Sequence, residues 1–384
     1  QMFMKTVRNL CFLVVLMLLV GACHSNDEKR GNWRKEQAFG GAGRIGAVSF
    51  KIGNAVYIGT GVNTNQVELK DFWAFNETLN WEEVDTLPAG AKARYGAVAF
   101  SDGKYGYVGL GYAANNNRYG TEQPEYFSDF YRFDPSAGRG SQWTKLGDFP
   151  GEQRRYATGF YVPSPNGSTG KGYVCFGSNN EGRNPKGSFK DWWEYDTQTD
   201  TWKQIGVYGD KREGACVAVV GSTAYIFTGV DDAGTYPTDF IKFTPFAGAT
   251  SDTWWSLLDP LKDLDGRSYD NDYGMLPRAY AVSFVTGADS EATTRIHLAT
   301  GSRLSLLSDC WEFNPYDHAE GRWNEVSNFP GGQLRQAGVG FTQNGFGWVT
   351  LGGANSSPSM NLSMRTSTYS FEPGVENWDQ DDEW

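Results

Sequence analysis

The stretch that determines the fold reads Arg44-Ile45-Gly46-Ala47-Val48-Ser49-Phe50, a turn at Gly53-Asn54, Val56-Tyr57-Ile58-Gly59-Thr60-Gly61, a loop, Asp71-Phe72-Trp73-Ala74-Phe75-Asn76, and then Trp81. The same order of features begins again at Arg94, Arg155, Arg212, Arg278 and Arg335. The third segment starts with aspartate in every unit except the last, which has Ser367 instead. Each unit holds four short apolar segments bounded by Gly, Asn, Asp or Pro, a pattern typical of β-strands joined by tight turns.

These repeats predict an all-β protein with six blades. Successive starts lie from 50 residues (Arg44 to Arg94) to 66 residues (Arg212 to Arg278) apart, enough for one four-stranded antiparallel sheet each. A single sheet of this size cannot bury both of its faces, so the units must stack around a common axis as a β-propeller. The 15% aromatic content and the 48 glycines suit such a fold and exclude a disordered chain.

The repeats resemble kelch repeats over nearly all of the chain after residue 31. A kelch repeat has a glycine pair that closes its second strand, an aromatic motif in its third strand and a tryptophan that opens its fourth. The first unit shows these marks as Gly59-Thr60-Gly61, where the pair is interrupted, Asp71 to Asn76, and Trp81. The resemblance implies a six-bladed kelch propeller of the galactose-oxidase-like superfamily.

The chain offers two candidates for the fourth strand of the last blade. The segment Trp33 to Phe39 copies the fourth-strand pattern that begins at Trp81, although it precedes the first repeat. Trp378 could also start a fourth strand, but the acidic residues Asp379 to Trp384 suit an exposed tail better than a sheet. We expect the N-terminal segment to complete the blade that begins at Arg335, because this pairing leaves no open sheet edge.

The first 22 residues have the features of an export signal. Two basic residues precede the apolar run Leu10 to Val20, which is too short to span a membrane comfortably. Val20-Gly21-Ala22-Cys23 resembles a bacterial lipobox, in which the chain is cut before the cysteine and the cysteine is acylated. Residues 23–31 form a polar tether whose acidic start resembles the surface-export signal of Bacteroidetes lipoproteins. We therefore expect an outer-membrane protein, lipid-anchored at Cys23, with its propeller over residues 32–384. We expect display at the cell surface, with a periplasm-facing propeller as the alternative; an ordinary secretory signal is the alternative to the lipid anchor.

Charge and cysteine content limit the partners. The formal net charge of -11 repels phosphate backbones, so no nucleic-acid partner is expected, and the membrane is contacted through the lipid anchor only. Cys175, Cys216 and Cys310 lie in apolar segments, and an odd number cannot form a complete disulfide framework. We expect buried thiols, with one Cys175–Cys216 bridge as the alternative.

The arginines that open the units are the candidate ligand-binding residues: Arg44, Arg94, Arg155, Arg212, Arg278 and Arg335. The first strand of a propeller blade lies nearest the axis, so these side chains would surround one mouth of the central channel. Kelch domains that bind acidic peptides use arginines at this position, and the resemblance implies an anionic ligand here. The alternative is that the arginines bind loop carbonyls and neighbouring carboxylates and hold the blades together.

The same face of the predicted propeller carries the longest loops, Tyr112 to Tyr126, Ser178 to Lys190 and Leu261 to Pro277. Their tyrosines and amides suit a sugar-binding surface, although solvated loops often have the same composition. The third loop is rich in aspartate but lacks the spacing of an EF-hand, and we expect no metal there.

The histidine content excludes several chemistries. Galactose oxidase holds copper with two histidines and two tyrosines, whereas this chain has only His24, His297 and His318, which the repeats place far apart. The same shortage excludes Ser-His-Asp and Cys-His catalysis on the arginine face. We expect no metal and no cofactor.

Two functions remain. The first is a binding or scaffolding propeller that holds a glycan, an acidic peptide or an outer-membrane protein partner on the arginine face. The second is a cofactor-free sugar enzyme, because the fold resembles the periplasmic kelch mutarotases that act on sialic acid. Glu213, which directly follows Arg212, and an arginine would then act on a carboxylated sugar. We favour binding over catalysis.

Overall fold

The computed structural model describes residues 29–114, 123–179, 187–248, 251–263, 273–317, 322–354 and 364–377. These residues form six four-stranded antiparallel sheets, which are the blades of a propeller, as the repeats predict. The strands of blades 1 to 3 are Val48–Ile52, Ala55–Gly59, Phe72–Phe75, Trp81–Val84; Val98–Ser101, Gly106–Gly109, Phe130–Phe133, Trp143–Lys145; Thr158–Val162, Lys171–Cys175, Asp191–Asp196 and Thr201–Val207. The strands of blades 4 to 6 are Cys216–Val220, Thr223–Phe227, Phe240–Phe243, Trp255–Leu258; Val282–Thr286, Arg295–Ala299, Cys310–Phe313, Trp323–Val326; Val339–Gln343, Phe346–Thr350, Thr368–Glu372 and Asn32–Glu36.

Short ribbons of two strands lie on the face of the propeller where the first strand of each blade begins. Three two-stranded ribbons pair Arg44–Ile45 with Val62–Asn63, Tyr112–Ala113 with Glu125–Tyr126, and Ser302–Arg303 with Ser305–Leu306. The helical residues of the described chain are confined to single 3₁₀ turns at Ser251–Thr253, Tyr273–Met275 and Gly331–Gln333.

The N-terminal strand closes the last blade, which confirms the prediction. Asn32–Glu36 pairs antiparallel with Thr368–Glu372, and Trp33 lies opposite Phe371. The Trp33 indole also donates a hydrogen bond to the carbonyl of Ser327 in blade 5, at 2.9 Å. The strand ends at Glu36, three residues before Phe39, just as Trp81–Val84 ends three residues before Leu87. The acidic tail, residues 379–384, lies outside the described residues.

Six apolar clusters lie between neighbouring blades and form the core. Each cluster combines buried residues of two adjacent sheets, including the blade 6–blade 1 junction, where Phe341 and Trp348 meet Phe75. An aromatic residue of strand one stacks on one of strand two in most blades, as Phe50 does on Tyr57, with ring centroids 5.3 Å apart. The burial that the repeats require is therefore obtained at the junctions, which explains why one sheet could not fold alone.

Two rings of backbone hydrogen bonds join the blades around the axis. In the outer ring, the amide of a glycine after strand two donates to the carbonyl of the arginine that opens the next blade. These pairs are Gly61–Arg94, Gly111–Arg154, Gly177–Arg212, Gly229–Arg278, Gly301–Arg335 and Gly352–Arg44. The inner ring joins the residues two positions after those arginines, namely 46, 96, 156, 214, 280 and 337. Both rings are closed, so the last blade is bonded to the first in the same way as its neighbours.

The cysteines of the described residues are free and buried at Cys175, Cys216 and Cys310, so the alternative of a Cys175–Cys216 bridge is wrong. Burial raises the pKa of Cys216 to about 11, which keeps this thiol protonated and unreactive. The export signal, Cys23 and the tether up to residue 28 lie outside the described residues, and lipidation stays a prediction. Within the described ranges, no helix has the length and apolar character needed to cross a bilayer.

Candidate functional site at the channel mouth

The arginine that opens each blade is fully buried and holds that blade together. In blade 1, Arg44 Nε donates to the carbonyl of Ala42 at 2.9 Å and Nη1 to the carbonyl of Thr60 at 3.0 Å. The two terminal nitrogens pair with the carboxylate of Asp71 at 2.6 and 2.8 Å. The same arrangement recurs as Arg94–Asp129, Arg154–Asp191, Arg212–Asp239 and Arg278–Asp309. These five arginines and Arg335 of blade 6 are all 0% exposed.

Three of these carboxylates are held in their charged form by this arrangement. Burial opposes ionisation of Asp71, Asp129 and Asp191, but the hydrogen bonds and the charge of the paired arginine outweigh it and lower the pKa of each. The arginine also fixes the end of strand two, because the carbonyl that accepts from Nη1 belongs in all six blades to a non-glycine residue with a φ between 58° and 65°. Such a backbone is costly unless its surroundings enforce it.

The repeat position in blade 3 is occupied by Arg154, so the assignment of Arg155 to it is wrong. Two arginines are adjacent there, and Arg154 is the one that pairs with Asp191 and with the carbonyl of Phe176. Arg155 lies one position further along the chain. For Arg44, Arg94, Arg212, Arg278 and Arg335, ligand binding stays a prediction, but complete burial and bonding within the blade favour the alternative structural role.

The residues that directly follow the six arginines differ from blade to blade. They are Ile45, Tyr95, Arg155, Glu213, Ala279 and Gln336. Each pairs by backbone hydrogen bonds with a residue just after strand two of its own blade, so all six occupy one layer around the channel mouth. Blades 3 and 4 therefore place a positive and a negative side chain next to each other in this layer.

Arg155 and Glu213 are buried and form the centre of a polar cluster. Arg155 Nη1 donates to the Tyr95 hydroxyl at 2.9 Å, and Arg155 Nε lies 3.8 Å from Glu213 Oε2, beyond hydrogen-bond distance. Glu213 Oε1 accepts from the Tyr280 hydroxyl at 2.6 Å, and Oε2 accepts from the Ser178 hydroxyl. Burial and the neighbouring Glu213 carboxylate raise the pKa of Tyr280, so its hydroxyl stays protonated and acts as a donor at neutral pH.

Tyrosines surround the charged pair. The Arg155 guanidinium lies 5.7, 5.3 and 5.6 Å from the ring centroids of Tyr95, Tyr112 and Tyr156, within range for cation–π attraction. Tyr156 in turn packs edge-on against Tyr280, with centroids 4.9 Å apart. The cluster thus combines a cation, a carboxylate, hydroxyl groups and flat aromatic surfaces, the groups that bind carboxylated and hydroxylated ligands.

Tyr156 and Tyr280 line the channel next to this cluster. They belong to the inner ring and adopt φ values of 48° and 54°, where glycine is the favoured residue. The equivalent residue is glycine in blades 1, 2 and 4 and Ala337 in blade 6, and two of the glycines give the rings room, since a Cβ on Gly46 would lie 3.0 Å from the Tyr156 hydroxyl and one on Gly214 only 2.5 Å from Tyr280. Both rings line a cavity of about 120 Å³ at the top of the channel and are half-buried. Strained backbone of this kind often accompanies a binding site.

Other predicted features lie elsewhere. His297 occupies the aromatic core position of blade 5, stacks on Phe284 and bonds the Thr286 hydroxyl at 2.8 Å. Burial, with the charge of Arg295, lowers the pKa of His297 to about 3, so it stays neutral. Much of the three long loops, at residues 115–122, 180–186 and 264–272, lies outside the described residues, as do His24 and His318.

The fold and the mouth define a six-bladed propeller with a charged, tyrosine-lined site at one end of its channel. No family model matches the chain, and no curated protein matches its sequence. The solved structure of YjhT is similar, with a TM-score of 0.61 and 16% sequence identity over 86% of this chain and 95% of that chain. At this identity the likeness shows the shared six-bladed fold alone, and the kelch resemblance stays a prediction.

Proposed function

We propose that the protein is a binding propeller that holds a carboxylated ligand, a glycan or an acidic peptide, at the channel mouth through Arg155. The observation that supports this most directly is the charged pair in a layer where other blades have Ile45 and Ala279, which shows that the fold does not require charge there. The planar guanidinium of Arg155 suits a ligand carboxylate, which it can bind through two parallel hydrogen bonds.

Calorimetric titration with sialic acid and with an acidic peptide tests this proposal. We expect Arg155→Gln to weaken binding about 10- to 100-fold, since a charge-assisted hydrogen bond contributes about 1.5–3 kcal/mol. Arg139→Gln is the control, because Arg139 is exposed, in the turn between strands three and four of blade 2. Equal affinities of Arg155→Gln and the wild type, or no binding of either probe by the wild type, would reject the proposal.

Catalysis on a carboxylated sugar is the second candidate, supported by the placement of Glu213. Interconversion of sugar anomers removes a proton from the anomeric hydroxyl, breaks the ring carbon–oxygen bond and delivers a proton to the ring oxygen, and closure reverses these steps. Glu213, bonded to the protonated Tyr280 hydroxyl at 2.6 Å, forms an acid–base pair able to move such protons, while Arg155 would hold the sugar carboxylate.

Exchange between the sialic acid anomers, followed by NMR, distinguishes the two candidates. An enzyme should accelerate exchange above the rate in buffer, and Glu213→Gln should remove the acceleration while sialic acid still binds. Binding without acceleration in the wild type would leave the binding propeller as the function.

We also propose that the propeller is anchored to the outer membrane through Cys23 and faces the cell surface. The lipobox resemblance of Val20-Gly21-Ala22-Cys23 supports the anchor, and the polar residues after it support display. Cys23→Ser should move the protein from the membrane to the soluble fraction, and wild-type protein should carry acyl groups on residue 23 by mass spectrometry. Unchanged membrane association of Cys23→Ser would contradict the anchor.

A further inference from the structure

Blade 6 lacks the carboxylate that neutralises the buried arginine in the other blades. Ser367 stands at the position of Asp71, Asp129, Asp191, Asp239 and Asp309. Arg335 keeps its other contacts and donates to the carbonyls of Gln333, Leu351 and Ser367 at 2.9, 3.0 and 2.8 Å, and to the Ser367 hydroxyl at 2.8 Å. Within the described ranges, no carboxylate lies at ion-pair distance from this guanidinium, although it is 0% exposed.

A second guanidinium approaches the same place. Arg365 Nη1 donates to the Gln333 side-chain oxygen at 3.2 Å, and the Ser367 hydroxyl donates to the same oxygen at 3.0 Å. Arg365 Nε is buried without a hydrogen-bond partner among the described residues. Two positive charges thus converge where the repeat elsewhere supplies a negative one. Gln333, Arg365 and Ser367 are each partly exposed, so solvent ions can reach them.

Blade 2 shows what is missing from blade 6. There, Asp129 bridges the Arg94 guanidinium and the Tyr131 hydroxyl, which donates to the carboxylate at 2.8 Å. Tyr369 is the equivalent of Tyr131, and the two rings lie at similar distances from their arginines, 5.7 and 5.9 Å. The structure gives the Tyr369 hydroxyl no hydrogen-bond partner in the part of the chain that it describes, because the carboxylate that would accept from it is absent.

We propose that blade 6 binds a small inorganic anion, a halide or an oxyanion, in the place of the missing carboxylate. The Arg335 and Arg365 guanidinium groups and the Ser367 and Tyr369 hydroxyls would be its donors. A buried guanidinium without a counter-charge destabilises the folded state, and an anion that binds only the folded protein compensates this cost. Consistent with the deficit, burial, with the nearby charge of Arg365, lowers the pKa of Arg335 to about 9. This site is independent of the ligand site at Arg155.

Thermal unfolding in increasing chloride or sulfate, at matched ionic strength, tests the site. We expect the wild-type Tm to rise and then saturate with anion, whereas Ser367→Asp, which supplies the carboxylate covalently, should start higher and respond only as general salt effects dictate. Tyr369→Phe should weaken the anion response roughly 3- to 10-fold, as expected for the loss of one neutral hydrogen bond. Saturation by both anions indicates a general site, and saturation by sulfate alone an oxyanion site.

Asp129→Ser in blade 2 is a partial gain-of-function variant, because it recreates the serine, arginine and tyrosine of blade 6 but has Phe127 where blade 6 has Arg365. It should acquire anion-dependent stability. If it does not fold, crystals of the wild type soaked in bromide give the answer directly, as an anomalous peak between Arg335, Ser367 and Tyr369. Parallel salt responses of the wild type and Ser367→Asp, or the absence of that peak, would overturn the proposal.

Discussion

The arginine that opens each blade and the residue directly after it are neighbours in the chain, but the first is the same in every blade and the second varies. The first position is arginine in all six blades, always buried, and it donates to the same backbone carbonyls in each. The second position ranges from Ile45 through Tyr95 and Arg155 to Glu213. A position that every repeat fills identically serves the shared fold, whereas one that varies is free to serve a single site. This constancy favours a structural role for the repeated arginines, and the unrepeated pair is the proposed ligand site.

Blade 3 gives the strongest test, because its two positions are adjacent arginines. Arg154→Ala removes the partner of Asp191, leaves a partly buried carboxylate uncompensated and should lower the free energy of unfolding by about 3–5 kcal/mol. Arg155→Ala should cost less, about 1–3 kcal/mol, because it removes a buried hydrogen bond to Tyr95 but no close ion pair among the described residues, and it should weaken ligand binding as well. Urea unfolding of both variants measures the difference. Similar losses of stability would remove the distinction between the two positions.

The inner ring offers a second test of how the site is built on the fold. Gly214→Ala places a Cβ 2.5 Å from Tyr280 at a φ of 62°, so it should displace the tyrosine from Glu213. Gly221→Ala is the control, because Gly221 has a similar φ of 56° and nothing within 4 Å of its Cβ position. We expect Gly214→Ala to cost about 2–3 kcal/mol more than the control, as overpacking does. Equal melting temperatures would show that Tyr280 does not need the room that Gly214 leaves.

The smallest expected effect concerns blade 6, where the described residues provide no carboxylate partner for the opening arginine, Arg335. Ser367→Asp should raise the free energy of unfolding by about 1–2 kcal/mol at neutral pH in buffer without small anions. This gain is at the low end of the range for a charge-assisted hydrogen bond, because solvent would screen the partly exposed carboxylate. The folded state lowers the pKa of Arg335 to about 9, so above that pH the unfolded chain holds more protons and the wild type regains stability. The advantage of Ser367→Asp should therefore shrink as pH rises through about 9, and unfolding curves at several pH values measure it. An advantage that grows with pH would contradict the assignment of the uncompensated charge to Arg335.

The repeats made the fold predictable, because their common features were structural. Arg44, Asp71 and Trp81 recur at similar places, and the closing strand at Trp33 copied a pattern already seen in other blades. The Arg–Asp pairs could have been predicted too, since both residues belong to the repeated motif. The repeat position of blade 3 was assigned wrongly because two arginines, Arg154 and Arg155, are adjacent there. In blade 2 an alanine, Ala97, stands three positions after the arginine, and the equivalent Ala157 identifies Arg154 as the repeat residue of blade 3.

The site was harder to predict for a physical reason. Glu213 and Tyr280 are 67 residues apart and meet only because the inner ring places blades 4 and 5 next to each other at the axis. Neither residue recurs in the repeat, so no periodicity marks them. Tyr156 and Tyr280 could not be recognised from the sequence, because they occupy positions where the backbone conformation favours glycine.

The two closed rings of backbone hydrogen bonds and the N-terminal closing strand also determine when folding can be completed. Ser370 and Glu36 share a hydrogen bond across 334 residues of chain, and the Gly352–Arg44 bond likewise waits for the last blade. During synthesis, the strand made first has no partner until almost the whole chain has followed it. Until then the first strand is unpaired, and the face of blade 1 that packs against blade 6 is exposed. An incomplete chain is therefore a target for proteases and for association with other copies of itself.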